Sequence, residues 1–177
     1  DPFTMKASAV LTQEFEDAWI YYQPEERSAS PYFGTVAKAD VCVEIGPQQH
    51  GTLNAAIFER SEKLVKRYLE LADEWNCGEL QKREPIQVEV YTQFRDLGYP
   101  KPQGGGTIQA MIHPDLDGRD YSELKKGDKL FRTFDGKDVL FEGEADGRSV
   151  YPIFINEPAY YEKDIAMSLT LKTVEKW

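Results

Sequence analysis

Residues 41–51, Val-Cys-Val-Glu-Ile-Gly-Pro-Gln-Gln-His-Gly (VCVEIGPQQHG), place one carboxylate in an apolar run that ends in a turn. Valine, cysteine and isoleucine predict a strand buried on both faces, and the Gly-Pro pair stops it because proline cannot donate to a ladder. Open α/β sheets bind their ligands at the carboxyl ends of such strands. Glu44 is therefore the leading candidate for a general base. The residues alone leave a structural role open, with Glu44 in a salt bridge or capping a helix.

The segments on either side of this run complete a strand–loop–strand–helix pattern. Aromatic residues predict a short strand over residues 18–22, and the polar segment 23–31 predicts a loop. After the turn, apolar residues near spacings of three, four and seven predict a long amphipathic helix over residues 53–76. Glutamates four residues before lysines mark its solvated face. This pattern is typical of the closing part of an α/β layer.

The second half of the chain has a different pattern of apolar and polar residues. Residues 86–91 (IQVEVY) alternate apolar and polar side chains, as a half-exposed strand does. Short apolar runs then alternate with Asp-Gly and Gly-Asp turns, which predicts a small antiparallel β domain. The fold class predicted from these patterns is α+β. The further strand candidates are residues 107–113, 129–133, 139–142, 150–155 and 168–173.

The bulk composition excludes some classes of partner. The 177 residues include 31 aspartates and glutamates against 21 lysines and arginines, for a formal net charge of -10. A surface of that sign repels phosphate, so we predict no nucleic-acid partner and no membrane binding. No apolar run approaches the roughly 20 residues that a membrane span needs, and no leader sequence stands out. Two cysteines without a CxxC spacing, Cys42 and Cys77, predict reduced thiols in a cytoplasmic protein.

Metal binding and nucleophilic catalysis find little support in the residue types. His50 and His113 are the only histidines, and neither begins an HxxE pair. A catalytic zinc site usually needs three protein ligands, so surface or hydrogen-bonded structural roles are predicted for both histidines. The sequence has no Gly-x-Ser-x-Gly elbow, and the glycine triplet 104–106 opens no helix after a strand, which argues against a phosphate loop. By itself, this chain is not predicted to encode a complete metal site.

The segment Asn-Glu-Pro-Ala-Tyr-Tyr-Glu-Lys over residues 156–163 carries an aromatic pair, Tyr160 and Tyr161. One interpretation is packing between the last strand and the β domain. The other gives one phenol a donor role toward a bound carboxylate or oxyanion. The residues alone leave these two interpretations open.

The motifs VEIGPQQHG, IQVEVY, IHPDL, GDKLF, FDGK and VYPIFINEPAYYEK, in this order, resemble the aspartoacylase family. Members of this family are zinc-dependent amidohydrolases related to the succinylglutamate desuccinylases, with a carboxypeptidase-like α/β core. The resemblance is collinear over residues 19–172. It implies that residues 5–82 are the C-terminal part of the α/β catalytic domain and that residues 83–177 are a β-rich C-terminal domain. Residues 1–4, ahead of Met5, are interpreted as a cloning-vector scar and left out of the fold.

The resemblance also implies roles for single residues. Glu44 matches the general base beside the zinc ion, and Tyr160 matches a tyrosine that contacts substrate. Glu157 matches a carboxylate that supports the surroundings of that tyrosine. A second family tyrosine falls on Ser30 by counting, and Tyr32 is close enough to replace it after a small loop shift.

Two departures from the family pattern affect activity and specificity. The family's zinc ligands, an HxxE pair and a further histidine, match nothing in this chain. Where the family has an arginine that holds a substrate carboxylate, this chain has Gly34, and Arg27 is a weak replacement. The resemblance therefore does not imply selectivity for N-acetylaspartate.

The predicted parent reaction is zinc-assisted hydrolysis of an N-acyl-L-amino acid, similar to N-acetylaspartate, to a carboxylate and an amino acid. The chain is expected to be inactive by itself, because its sequence lacks those zinc ligands. The alternative is a non-catalytic module that binds a ligand or associates with itself. The expected partner is a small N-acyl amino acid, and the alternative adds further copies of the chain.

Overall fold

The computed structural model describes residues 1–24, 33–46, 48, 49, 51–102 and 105–177, without the side chains of residues 33 and 35. The chain divides into two compact units. The first comprises Asp1–Ile20, Glu25–Glu89 and Val174–Trp177, and the second comprises Tyr21–Pro24 and Val90–Thr173.

The first unit opens with a helix that the sequence patterns did not predict, α1 over Pro2–Glu14. Asp1 caps it, because its carboxylate accepts a hydrogen bond from the Thr4 backbone N–H at 3.1 Å. The proline fits the first turn, where its missing N–H has no helical partner. Leaving residues 1–4 out of the fold was therefore wrong, whatever their origin, since they form the start of this helix.

The predicted long helix is confirmed as α2, which spans Ala55–Asn76. It begins at Asn54, whose side chain accepts a hydrogen bond from the Ile57 backbone N–H at 3.2 Å. One face of α2 packs on α1 and forms the core of the first unit. The buried residues of this core are Ala7, Val10, Leu11, Phe15, Leu64, Leu71 and Leu80.

The predicted buried strand at residues 41–45 is wrong. The segment has no regular secondary structure, and Val43 and Ile45 are each 37% exposed. A strand buried on both faces needs neighbouring strands for its backbone groups and a layer over each face. No described residue pairs with this segment in a ladder. The side chains of residues 42–45, including Glu44, lie exposed rather than partly buried.

The second unit contains most of the β structure. Strands β1 (Ile20–Tyr22), β2 (Gln87–Gly98), β6 (Tyr151–Ile153) and β7 (Ile165–Lys176) form a sheet in the order β1-β2-β7-β6. Strands β3 (Ala110–Ile112), β4 (Lys129–Thr133) and β5 (Asp138–Leu140) form an antiparallel sheet in chain order.

The seven observed strands overlap the seven other predicted ones, and β4 has the predicted bounds. Strands β2 and β7 extend well beyond their predicted cores, to 12 residues each. The α+β fold class is confirmed. Neither described helix combines the length and apolar character needed to cross a membrane.

Candidate functional site

Glu44 lies on an exposed, irregular segment of the first unit. Its contact in the structure is local, since the Cys42 thiol donates a hydrogen bond to Glu44 Oε1 over 3.5 Å. Burial, and after it the charge of Glu44, raises the pKa of the Cys42 thiol. The Glu44 carboxylate is therefore open to solvent and is not locked in an ion pair with a described residue.

Gly34 lies in a 3-10 segment, Phe33–Val36, of the same unit. A Cβ added at Gly34 would overlap the carboxylate of Asp40, and the clash includes the Cγ and Cβ atoms of that short side chain. The place where the resemblance implies a carboxylate-binding arginine is thus filled by a carboxylate. Tyr32, Arg27, Ser30 and His50 lie outside the described residues.

The aromatic pair lies in the second unit on a short 3-10 helix, Pro158–Lys163, called the tyrosine turn from here on. Tyr160 is half-buried, and its ring lies 6.1 Å from that of Phe154, edge to face. The Tyr160 backbone N–H donates to the Glu157 carbonyl at 3.0 Å. Glu157 is exposed at the start of the turn, and its side chain makes no capping hydrogen bond. Glu157 therefore holds Tyr160 through its backbone.

Backbone strain gathers around the tyrosine turn. The described non-glycine residues with positive φ are Tyr121, Phe154, Asn156 and Asp164, at 61°, 53°, 65° and 60°. Two of them flank Ile155 just before the turn, and Asp164 ends it. The left-handed region costs about 1–3 kcal/mol per residue outside glycine, and such strain tends to gather at functional sites. The surrounding contacts must therefore fix this segment.

One of these contacts comes from Asp120. The Asp120 carboxylate accepts a hydrogen bond from the backbone N–H of Ile155 at 3.2 Å, between the two strained residues. Burial raises the pKa of Asp120, and the backbone N–H groups that point at its carboxylate oppose that rise. Asp120 thus satisfies backbone donors that the irregular segment would otherwise leave without partners.

A second contact comes from the side chain of Asn156. Its Oδ1 accepts hydrogen bonds from the hydroxyls of Tyr99, at 3.0 Å, and Tyr161, at 2.8 Å. Tyr99 is buried, and this burial, followed by the influence of Tyr161, raises its pKa. The two tyrosines of the motif therefore differ, because Tyr161 is tied to Asn156 while the Tyr160 ring packs against Phe154.

His113 has the hydrogen-bonded role that its sequence context predicts. It is 2% exposed, and its Nδ1 accepts a hydrogen bond from the Asp115 backbone N–H at 3.0 Å. Its Nε2 lies 2.8 Å from Arg132 Nη2 and 3.4 Å from Asp138 Oδ1. Across the described parts of the chain, no group of three or more His, Cys, Asp or Glu side chains is placed to hold a metal ion. These residues do not fit the zinc ion that the family resemblance implies.

Sequence reasoning missed Asn156, Tyr99 and Asp120. The asparagine stands just before Glu157 in the motif, and asparagine tolerates a left-handed backbone better than most residues. The position of this asparagine was the one signal in the sequence that could have indicated a role for Asn156. The partner Tyr99 lies 57 residues away in sequence, so no local pattern could pair it with Asn156.

Comparison with known proteins gives a consistent set of relatives. The family described as the AstE/AspA barrel-sandwich hybrid domain matches residues 86–172. A probable aspartoacylase of a Nostoc species is 38% identical over 172 residues, which is 97% of this chain and 56% of that protein. A mouse N-acyl-aromatic-L-amino acid amidohydrolase (carboxylate-forming) is 35% identical over 132 residues, 75% of this chain and 40% of that protein.

A similar solved structure is that of murine aminoacylase 3. It superposes with a TM-score of 0.82 at 28% identity, over 98% of this chain and 56% of that one. The chain thus spans little more than half the length of the Nostoc relative and of this structure.

Proposed function

Because the chain belongs to the aspartoacylase and succinylglutamate desuccinylase family, we propose that it serves in the hydrolysis of N-acyl amino acids. Water adds to the acyl carbonyl carbon, the C–N bond breaks, and a carboxylate and an amino acid are released. One observation carries this proposal. The match to a probable aspartoacylase covers 97% of the chain, so it includes both Glu44 and the tyrosine turn.

The proposed roles follow the chemistry of the side chains. Glu44 takes a proton from the attacking water and passes it to the leaving amine nitrogen. Its carboxylate is exposed and therefore accessible to such a water. The Tyr160 hydroxyl donates a hydrogen bond to the substrate carboxylate or to the oxyanion that forms during attack. Glu157 supports Tyr160 through the backbone hydrogen bond of the turn. Tyr32 is a proposed second phenolic contact to substrate.

Zinc is the cofactor that family membership implies, but the described residues do not fit it. The sequence contains two histidines and no HxxE pair. We therefore propose that these 177 residues, by themselves, neither hold zinc stoichiometrically nor sustain turnover. The ligands would have to come from polypeptide outside this chain.

The amino-acid part of the substrate is proposed to be neutral rather than acidic. Gly34 offers no side chain to hold a second carboxylate of the substrate, and Asp40 fills the space beside it. One relative is named for N-acyl aromatic amino acids, and others are named as aspartoacylases. N-acetylphenylalanine is therefore expected to bind more tightly than N-acetylaspartate.

A binding titration tests the substrate class without requiring turnover. Isotope-labelled chain is titrated with N-acetylphenylalanine, N-acetylaspartate and free phenylalanine, and the NMR signals of the tyrosine turn are followed. Shifts are expected with the N-acyl compounds and not with the free amino acid, and Tyr160→Phe should weaken them. If no N-acyl amino acid moves these signals at millimolar concentration, the proposed substrate class is wrong.

Zinc content and amino-acid release from the purified chain test the inactivity proposal. We expect zinc well below one ion per chain and no release of amino acid. Stoichiometric zinc with sustained release, abolished by Glu44→Gln, would refute the proposed inactivity and support the proposed role of Glu44. Release that survives Glu44→Gln would refute that role.

Self-association is a second candidate function, favoured by an exposed apolar stripe on α2. Phe58, Val65 and Leu69 lie seven and four residues apart on one helix face and are 67%, 54% and 62% exposed. Sedimentation over a range of concentrations tests this function. Association that Leu69→Glu suppresses and Lys66→Ala does not would support it, and a monomer at every concentration would refute it.

A further inference from the structure

Asn156 makes two hydrogen bonds with a single side-chain oxygen. The hydroxyls of Tyr99 and Tyr161 both donate to Oδ1, at 3.0 Å and 2.8 Å. An amide oxygen has two lone pairs, so these two donors use its full accepting capacity. The rings of Tyr99 and Tyr161 also meet edge to face, with centroids 5.8 Å apart. The three side chains form one connected group, called the asparagine clamp below.

The backbone under the clamp is anchored to the sheet on both sides of the tyrosine turn. Before the turn, the Asn156 N–H donates to the Ala166 carbonyl in β7 at 2.9 Å. After the turn, the Asp164 carbonyl accepts from the Tyr99 N–H at 3.2 Å, and Lys101 Nζ lies 2.5 Å from the Asp164 carboxylate. Tyr99 therefore holds the turn twice, through its hydroxyl at one end and through its backbone at the other.

Between these anchors, the clamp adds a side-chain tie to the Tyr160–Glu157 backbone hydrogen bond and to the contacts of the Tyr160 ring with Phe154 and Lys163. Tyr161 is 40% exposed, so burial alone does not fix its ring, and the hydrogen bond to Asn156 supplies the constraint. Consecutive residues of a 3-10 helix point about 120° apart. Holding Tyr161 therefore also holds the backbone direction in which the Tyr160 side chain leaves the turn, and the Tyr160 ring then packs against Phe154.

We propose that Asn156 is a positioning residue, which acts through Tyr161 and Tyr99 to hold Tyr160 in one orientation. The left-handed backbone at Asn156, with φ of 65°, serves this purpose because it aims the side chain back at the two phenols. The value of a fixed Tyr160 for substrate binding rests on the proposed function. The clamp itself does not, because it is defined by contacts within the second unit.

The test places a fluorine reporter on Tyr160. The full chain carries 3-fluorotyrosine at position 160 and is compared with four variants by fluorine NMR. Asn156→Gly keeps the left-handed backbone and removes the acceptor, and Asn156→Asp keeps both. Tyr161→Phe removes one hydroxyl of the clamp, and Tyr151→Phe removes a hydroxyl elsewhere in the same unit. Tyrosine circular dichroism reports whether each variant is folded.

The clamp predicts a resonance displaced from that of free fluorotyrosine in the unmodified chain. Asn156→Gly and Tyr161→Phe should move it toward the free value or broaden it, whereas Asn156→Asp and Tyr151→Phe should leave it in place. An unchanged resonance in Tyr161→Phe would overturn the proposal. If Asn156→Gly fails to fold, Tyr161→Phe decides, because it deletes a single oxygen atom from a partly exposed ring.

Adding N-acetylphenylalanine to the labelled chain separates this inference from the proposed function. A resonance that responds to the clamp variants but not to the ligand would leave the clamp standing and refute substrate contact by Tyr160. A resonance that responds to the ligand but not to the clamp variants would support substrate contact by Tyr160 and refute the clamp.

Discussion

Replacing Arg67 by methionine should weaken the attachment of α1 to α2 and lower the free energy of unfolding of the first unit. Arg67 donates to both oxygens of Glu14 on α1, from Nε at 2.9 Å and from Nη2 at 3.1 Å. Its Nη1 lies 3.0 Å from carboxylate oxygens of both Glu70 and Glu74. The carboxylates around it, with Glu14 first, raise the pKa of the guanidinium above its ordinary value. One cation therefore offsets three anions.

The expected loss is larger than for an ordinary surface ion pair. The Arg67 side chain is 18% exposed and that of Glu74 is 25% exposed, so solvent replaces their interaction only in part. Hydrogen bonds to charged groups contribute about 1.5–3 kcal/mol. Arg67→Met also leaves three carboxylates near one another, although Glu74 keeps Arg83 at 2.6 Å. We expect the free energy of unfolding of the first unit to fall by about 2 kcal/mol.

The neighbouring Lys66 provides a matched control. It pairs with Glu62 four residues earlier at 3.0 Å, and both side chains are more than half exposed. Such pairs contribute about 0.3–0.5 kcal/mol, so Lys66→Met should change stability by no more than that.

Urea unfolding followed by tryptophan fluorescence suits this measurement. The three tryptophans, Trp19, Trp75 and Trp177, all belong to the first unit, so the signal follows that unit. With a slope of about 2 kcal/mol per molar urea, Arg67→Met should lower the midpoint by about 1 M. Added salt should shrink the difference. Equal midpoints for Arg67→Met and Lys66→Met would refute the reasoning.

Three further changes have expected outcomes. Leu71→Ala, at a fully buried site in the first core, should cost about 3 kcal/mol, and a urea midpoint within experimental error of the unmodified chain would contradict that packing. Burial raises the Tyr99 pKa, so Tyr99 ionises at a lower pH in the unfolded chain than in the folded chain. The stability of the chain relative to Tyr99→Phe should therefore fall as pH rises above 10. Thermal unfolding followed by tyrosine circular dichroism checks this, and a stability difference that does not change with pH would contradict it. The pKa of Asp120 is also raised in the folded chain, so its ionisation favours the unfolded state. The stability relative to Asp120→Asn should therefore be lower at pH 7 than at pH 3.5. Thermal unfolding at both pH values checks this, and the opposite order would contradict it.

Local periodicity was enough for α2 and for the strands of the second unit, because their apolar spacing reflects the face they bury. It was not enough for α1, where Lys6 occupies a buried position. The Lys6 ammonium reaches the Arg83 carbonyl at 2.9 Å and lies 3.4 Å from that of Glu84. A lysine satisfied by distant backbone looks polar in a sequence, and it hides the helical pattern of its neighbours.

The error at residues 41–45 has a different cause. Composition describes what a segment is suited to, but a strand forms only where other strands satisfy its backbone. The residues of the candidate site also differ in whether a local pattern reveals them. Tyr160 and Glu157 came from a recognisable motif, whereas the clamp depends on Tyr99 and on a left-handed backbone that no spacing reveals.

Tyr160 and Tyr161 have different contacts, and this difference affects how related proteins can diversify. In the proposed clamp the hydrogen bond to Asn156 comes from Tyr161, so a substitution at position 160 leaves that bond intact. Selection, or a protein engineer, can therefore explore new ligands at one codon while its neighbour stays constant. Across natural variants, changes at 156 and 161 are expected to arise together, and those at 160 independently.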